Sequence, residues 1–356
     1  MPMKKAILRY TAALLILTAL PVIPALASGG IRETGAAAAE PTGPAVIVPE
    51  PPSVPQTAKA SPASVPQEDA YLVLDTASGE VLTVPVRDYL IGALCAEMPL
   101  SFESEALKAQ VVAAHTYAAR QAAIARAYPD ESLQGADFSN DSSRYQAYYT
   151  NEQLREVLGD RYADGYETAA AAVDAVLPEI LTYDNQPIIA AFHAMCSGRT
   201  EDSAHVWGTP VAYLTAVDSP ADPEAPAFEQ AVTFSEDEVR EALTAVHTGL
   251  ILGSDPSGWF AEGERTDSGT VLHMTVGRSI FTGQELRSIF GLRSADFTID
   301  YADGEFSFTT RGYGHGVGMS QYGANAMAQQ GSTYEEILAH YYPGTVLADA
   351  EVSPAS

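Results

Sequence analysis

The sequence is poor in cysteine and in basic charge, and each shortage closes off a class of function. Two cysteines among 356 residues, Cys95 and Cys196, cannot form a disulfide-stapled scaffold. They allow one bridge, two free thiols or a metal ligand. Lys and Arg number 19 against 46 Asp and Glu, for a formal net charge of -27. The resulting negative potential repels phosphate backbones and anionic lipid, so no nucleic-acid partner is expected. The acidity is spread along the chain, including all the way from Glu103 to Asp349, without a long single-sign block, as in a solvated surface rather than a recognition tail. No internal repeat is visible.

A long apolar run occurs at the start. Lys4, Lys5 and Arg9 precede an apolar stretch from Tyr10 to Ala27 that ends in Ala25-Leu26-Ala27 before Ser28. A cleaved signal peptide and a retained membrane anchor both fit residues 1–27. Either way the positive-inside rule places the rest of the chain outside the cytoplasm, on a single N-terminal anchor or secreted. Residues 28–69 are dominated by Ala, Pro, Ser, Gly and Val, a composition that cannot bury enough apolar surface to offset ordering and reads as a disordered linker.

From residue 70 to 347 the pattern is that of an α+β domain, with 46% hydrophobic residues overall and enough chain for a core in two lobes. Tyr71 to Val86 alternates around Ser78-Gly79 as a hairpin. Helical spacing follows from Arg87 to Glu97 and is stopped by Met98-Pro99. A second helix is expected over Phe102 to Arg126 and a third over Asn151 to Val176, with the polar stretch Asp130 to Tyr149 between them as a surface excursion. Strands are expected at Glu179–Tyr183 and Pro187–Phe192, and Ser203 to Ala225 reads as loop. The C-terminal part gives helices at 236–248, 282–290 and 333–342, a strand at 271–276 and a strand pair over 298–309.

Several residue groups could carry chemistry. Glu97 falls at a helix C-terminus, where the negative end of the dipole opposes ionisation and burial beside Met98 or Leu100 adds to the effect. Both raise the pKa toward that of a general acid, although such a residue taken alone is more often an exposed helix-end carboxylate. Gly312, Gly314, Gly316 and Gly318 surround His315 and precede Ser320, Gln321 and Tyr322. That density of glycine lets a backbone approach a ligand closely, with polar side chains suited to sugar hydroxyls and N-acetyl groups. No Lys-Ser/Thr follows, so this is not a phosphate loop. The Gly two residues after Ser that a nucleophile elbow needs is missing too. His193, Cys196 and His205 form a possible zinc set, with no clear fourth ligand.

Three blocks carry a family resemblance: YLIGALCAEMPLSFESEALKAQVVAAHTYAAR at 89–120, FHAMCSGRTEDSAHVWG at 192–208 with YLTAVDSP at 213–220, and GYGHGVGMSQYGANAMAQQGSTYEEILAHYYPGT at 312–345. In this order they resemble the stage II sporulation protein D family, whose members are lytic transglycosylases or relatives that enhance wall amidases. The resemblance implies two lobes forming a glycan-binding groove, with Glu97 catalytic. It further implies substrate contacts at His115, Tyr117, His193, Ser197, Gly198, Thr200, Glu201, His315, Gly316, Gly318, Ser320, Gln321 and Tyr322. His115 stands where the family more often has arginine, and a neutral imidazole is a weaker support for Glu97. The expected reaction cleaves the MurNAc-β-1,4-GlcNAc bond of peptidoglycan in septal remodelling during engulfment, requires no cofactor, and leaves 1,6-anhydro ends. Expected partners are glycan strands, a wall amidase or endopeptidase and a membrane scaffold protein. The alternative is a non-catalytic, wall-binding enhancer of an amidase.

Overall fold

The computed structural model describes residues 70–350; the expected leader, anchor and linker lie outside the described residues. Among those described, no helix is long and apolar enough to cross a membrane. The chain is a mixed α+β protein built on several small sheets.

The expected hairpin forms as β1 (Ala70–Leu74) and β2 (Val81–Pro85), antiparallel with Tyr71 opposite Val84. Gly79 takes φ +74° in its turn, a value that costs glycine little. β3 (Phe138–Ser139) adds to β1 in parallel. Two helices lie beside this sheet. Helix α1 spans Val86–Glu97 and ends at Met98, whose extended backbone begins the turn into Pro99. Helix α2 spans Ser104–Ala127 and is alanine-rich along its buried length, with Ala106, Ala109, Ala113, Ala114 and Ala118 all inaccessible. Small side chains let neighbouring elements approach its axis on most sides, so α2 becomes the central rod of the first core.

The third expected helix is two, α3 (Asn151–Leu158) and α4 (Tyr162–Val176). Gly159, at φ +53°, turns the chain between them. Strand β4 (Glu179–Tyr183) pairs with β14 (Val346–Asp349) and with the short β5 (Gln186–Pro187). The longer strand expected over 187–192 yields only β5 and β6 (Phe192–His193), the latter parallel to β13 (Met319–Ser320). Helix α5 (Ser203–Trp207) interrupts the expected loop.

A second hydrophobic cluster is separate from the first. It is formed by β7 (Glu229–Ser235), α6 (Glu236–Val246), β9 (Val271–Val276), β10 (Ser279–Thr282), α7 (Gly283–Phe290), β11 (Phe297–Ala302) and β12 (Glu305–Arg311), with the exposed β8 (Glu264–Arg265) paired to β9. The Thr282 side chain caps α7 in a reciprocal box with Glu285, the arrangement its sequence predicts. Helices α8 (Gln321–Gln329) and α9 (Tyr334–Tyr341) then return to the first core.

The stretch 130–149, expected to be a surface excursion, is corrected by the structure. Phe138, Ser139, Gln146 and Ala147 are buried. The cause is a polar anchor: Asp137, 3% exposed, accepts a fork of hydrogen bonds from Arg126 at 2.7 and 2.8 Å and a third from the Leu72 N–H at 2.9 Å. Once Asp137 is fixed, Phe138 enters the aromatic group of Tyr71 and Tyr89 at centroid distances of 5.4 and 5.2 Å. Replacing Asp137 by alanine leaves the Leu72 N–H without its acceptor and should lower unfolding free energy by about 1–3 kcal/mol. Chemical denaturation measures this, and a change under about 0.5 kcal/mol, the scale of ordinary surface substitutions, would remove the anchor from the account.

Candidate active site

Glu97 ends α1 and is only partly accessible. Its carboxyl faces the returning 145–149 segment, where the Ala147 N–H donates to Oε1 at 3.0 Å. Ala96, Tyr117, Ala147 and Tyr149 pack together around it. Desolvation pushes the Glu97 pKa from the ordinary 4.5 up to about 8, against the smaller opposing effect of the Ala147 bond. Burial therefore keeps this carboxyl protonated at neutral pH, the state a general acid needs. The surrounding phenols of Tyr89 and Tyr117 are themselves pushed up, chiefly by burial and in part by the Glu97 charge. They stay neutral hydrogen-bonding groups.

A close approach of backbones sets the pocket wall. A Cβ at Gly92 would overlap the Tyr149 carbonyl oxygen and lie 2.6 and 2.7 Å from the Tyr148 ring. The Tyr149 N–H donates to the Gly92 carbonyl at 3.3 Å, and Tyr148 stacks on Tyr89 at 5.2 Å. Gly92 thus lets the 145–149 segment rest directly on α1, one and a half turns before Glu97.

His115 is not a neighbour of Glu97 in the way the sequence reading expects. It is 2% exposed, its Nδ1 bonds the Glu179 carbonyl at 3.1 Å, and desolvation lowers its pKa to about 4. The reason is helical phase: residues two apart on an α-helix lie about 200° apart. Tyr117 faces Glu97, so His115 faces β4. Tyr117 packs on the Glu97 side of α2 and His115 packs into the core on the other.

The remaining expected site residues gather elsewhere. His193 and His315 have ring centroids 5.8 Å apart, and Trp207 lies 5.6 Å from His315. One residue fixes both tautomers. The Val317 N–H donates to His315 Nδ1 at 3.0 Å, which leaves the proton of the neutral ring on Nε2; the Val317 carbonyl accepts from His193 Nδ1 at 3.2 Å, which leaves Nε2 of that ring a lone pair. Both Nε2 atoms are buried without a hydrogen-bond partner. Burial pushes the His193 pKa down to about 4 and that of His315 well below the usual range.

His315, Gly314, Gly316, Ser197, Arg199 and Glu201 line an open depression together with Ser268, Thr270, Ser294, Asp296 and Arg311. Thr266 donates to Glu201 at 2.7 Å and Ser268 to the Thr200 carbonyl at 2.8 Å. Gly198 is at φ +93°, with the proline ring of residue 223 beside it. Ser320 caps α8 through the Gly323 N–H, and Gln321 Nε2 donates to Gln110 on α2 at 3.3 Å. The Tyr322 ring meets Phe102, four residues beyond Met98, at 5.1 Å. The glycine-rich block therefore joins the start of α2, while Glu97 itself is contacted through residues 117 and 145–149. Gln146 and Ala147 are the site residues that sequence reasoning misses. No local sequence signal marks them, because the pairing of Asp137 with Arg126 and Leu72 that draws the segment inward joins residues distant in sequence.

Both cysteines are free; the bridge left open by the sequence does not form. Burial raises the Cys95 thiol to about 12 and Cys196 well above its ordinary value. Among the described residues, the metal-capable group is His193, Cys196 and Asp222, with donor atoms within 4.8 Å of one another. His205 is not in it; its Nδ1 lies 3.7 Å from Glu201 Oε2. The unpartnered His193 Nε2 suits a ligand, but Asp222 is committed, accepting from the Cys196 N–H at 2.7 Å and from the Ser219 hydroxyl at 3.0 Å.

Comparison with known proteins supplies relatives. The family model for Stage II sporulation protein (SpoIID) matches residues 75–183, a span that holds Glu97, Tyr117 and Ala147. The chain is 36% identical over 296 residues to Stage II sporulation protein D of Bacillus amyloliquefaciens, covering 83% of this chain and 81% of that one. It is also 36% identical to the Bacillus subtilis (strain 168) protein of the same name, covering 83% and 82%. A more distant relative is the Amidase enhancer of Bacillus subtilis (strain 168), 27% identical over 306 residues, covering 72% of this chain and 40% of that one.

Proposed function

The chain belongs to the stage II sporulation protein D family, and from that premise we propose that it is a peptidoglycan lytic transglycosylase whose single acid/base is Glu97. The observation that carries the reading is the Glu97 carboxyl itself, desolvated, with a pKa of about 8 and one oxygen held by the Ala147 N–H. With Oε1 accepting that bond, the acidic proton resides on Oε2. Oε2–H protonates the oxygen that bridges MurNAc C1 to GlcNAc C4, and the C1–O bond breaks as C1 becomes oxocarbenium-like. The MurNAc 6-hydroxyl then attacks C1 and passes its proton to the Glu97 carboxylate. The acid is regenerated, no water is consumed, and the product carries a 1,6-anhydro end. One carboxyl serves both steps, so no partner at two-carboxylate spacing is required.

In this reading the glycan strand lies in a groove between two lobes, with Tyr117 beside the acid and the 197–201 and 314–322 segments binding sugars further along. The protein works outside the cytoplasm, tethered or released at residues 1–27, on septal wall during engulfment, with an amidase or endopeptidase and a membrane scaffold as partners. No step uses a metal. A zinc ion on His193, Cys196 and Asp222 would tie residues 193–196 to residue 222 and contribute stability rather than chemistry at Glu97. The similarity to an amidase enhancer supports a second reading, a wall-binding protein that retains the groove without cleaving.

Incubating the purified protein with denuded glycan strands and examining the ends by mass spectrometry separates the two: 1,6-anhydro ends support the enzyme, and their absence supports the enhancer. The acid must be protonated at the start of each turnover. The rate is therefore expected to fall about tenfold per pH unit above pH 8, and a rate still rising at pH 9 contradicts the assignment.

A further inference from the structure

Gln146 is unusual among the residues of the Glu97 wall. Its side chain is 3% exposed, and both amide atoms, Oε1 and Nε2, are buried without a hydrogen-bond partner. An enclosed primary amide with both ends unmet is destabilising, and folded proteins leave few such groups unexplained. Its backbone is not idle. Gln146 is bonded through its main chain to the Tyr117 hydroxyl, and the next N–H, that of Ala147, holds Glu97 Oε1 at 3.0 Å. The Gln146 Cα is thus two bonds from the nitrogen that orients the acid. The segment is held on both sides, by Tyr145 near Phe138 at 6.4 Å and by Tyr148 on Tyr89 at 5.2 Å. The Gln146 backbone is therefore fixed beside the acid, while its amide makes no bond of its own.

A carboxamide with a free donor and a free acceptor matches another amide: Nε2–H to a carbonyl oxygen, Oε1 from an N–H. Peptidoglycan sugars carry such a group, the 2-acetamido substituent. Resting on the reading that Glu97 acts on a glycan strand, we propose that Gln146 is a specificity-determining residue that pairs with the acetamido group of the sugar bound beside Glu97. Binding then exchanges burial without partners for burial with two. A sugar with a free 2-amino group brings no carbonyl, leaves Nε2–H unmet and adds a cation to an apolar wall, so it is rejected.

The test is a binding measurement, independent of cleavage. Full-length protein carrying Glu97→Gln is titrated calorimetrically with glycan strands that are N-acetylated or chemically N-deacetylated, with and without Gln146→Met. Methionine keeps the length and removes the amide. The expected result is at least tenfold tighter binding of acetylated strands, a preference that Gln146→Met abolishes by weakening only the acetylated ligand. Because the amide has no partner in the free protein, Gln146→Met should leave the melting temperature equal or higher. Equal weakening for both ligands, a preference that survives the substitution, or a lowered melting temperature without a change in preference each overturns the proposal and leaves a structural role. Absence of 1,6-anhydro product in the cleavage assay, by contrast, removes the transglycosylase reading without touching this preference.

Discussion

Replacing Glu97 by glutamine is expected to abolish production of 1,6-anhydro ends and, at the same time, to make the protein more stable at alkaline pH. The amide keeps the shape and its oxygen can still accept from the Ala147 N–H, but it has no acidic proton to give. Positioned acid/base groups contribute about 10²- to 10⁴-fold, so cleavage should fall by at least that factor. Stability follows from the sign of the pKa shift. The unfolded carboxyl titrates near 4.5 and the folded one near 8. Between these values the folded state binds more protons, so wild-type stability declines as pH rises through the window and bears the whole penalty above 8. Glutamine has nothing to ionise. The variant should therefore gain on wild type progressively from about pH 5 to beyond 8, reaching a difference on the order of a few kcal/mol. Melting curves at pH 5 and pH 9 check it: near-equal temperatures at the acidic end, and a variant higher by about 5 °C or more at the basic end. A variant that melts lower at pH 9 would show that Glu97 is ionised and structurally paired, contrary to the assignment.

Gly92→Ala should damage both fold and activity, although the residue touches no substrate in the proposed reaction. Its added methyl collides with main chain at Tyr149 and with the Tyr148 ring, and main chain has little room to give. Overpacking of this kind costs about 1–3 kcal/mol. The larger effect is on rate. To relieve the overlap the 148–149 segment must lift from α1, carrying the Ala147 N–H away from Glu97, and displacement of about 1 Å at a catalytic group can cost about 10²-fold. The measurement is kcat on glycan strands alongside urea denaturation. Loss of stability with kcat unchanged would mean that the segment shifts without disturbing the acid.

The sequence was most informative where local rules and burial agree. The hairpin at Gly79, the end of α1 at Met98-Pro99 and the cap at Thr282 were all readable, because turn chemistry and capping act over a few residues. Glu97 was legible as a helix-end carboxyl, and its raised pKa followed from dipole and burial; the structure identifies burial as the dominant cause. Three things were not legible. Gly159 breaks a helix whose periodicity runs through it. His115 lies next to the right residues in sequence and on the other face of α2 in space, and helical phase separates it from Tyr117 without telling which of the two faces Glu97. The 130–149 stretch, polar and turn-rich, looks like surface until Asp137 is seen to be a buried acceptor for Arg126 and Leu72. Polar residues that pair with distant partners hide core segments from any reading based on composition. Two of the site's backbone donors arrive by that route.

The two histidines bound to opposite ends of Val317 have a consequence for how the protein meets its surroundings. With His193 titrating near 4, His315 pushed by burial well below its ordinary value, and the phenols of Tyr89 and Tyr117 shifted upward, these groups are electrically silent across the neutral range. Proton traffic then falls to one carboxyl. A bell-shaped rate profile requires two titrating groups; this one should be a plateau with a single alkaline shoulder. Under the proposed reaction, a fall from pH 7 to pH 5 is expected to leave the rate unchanged.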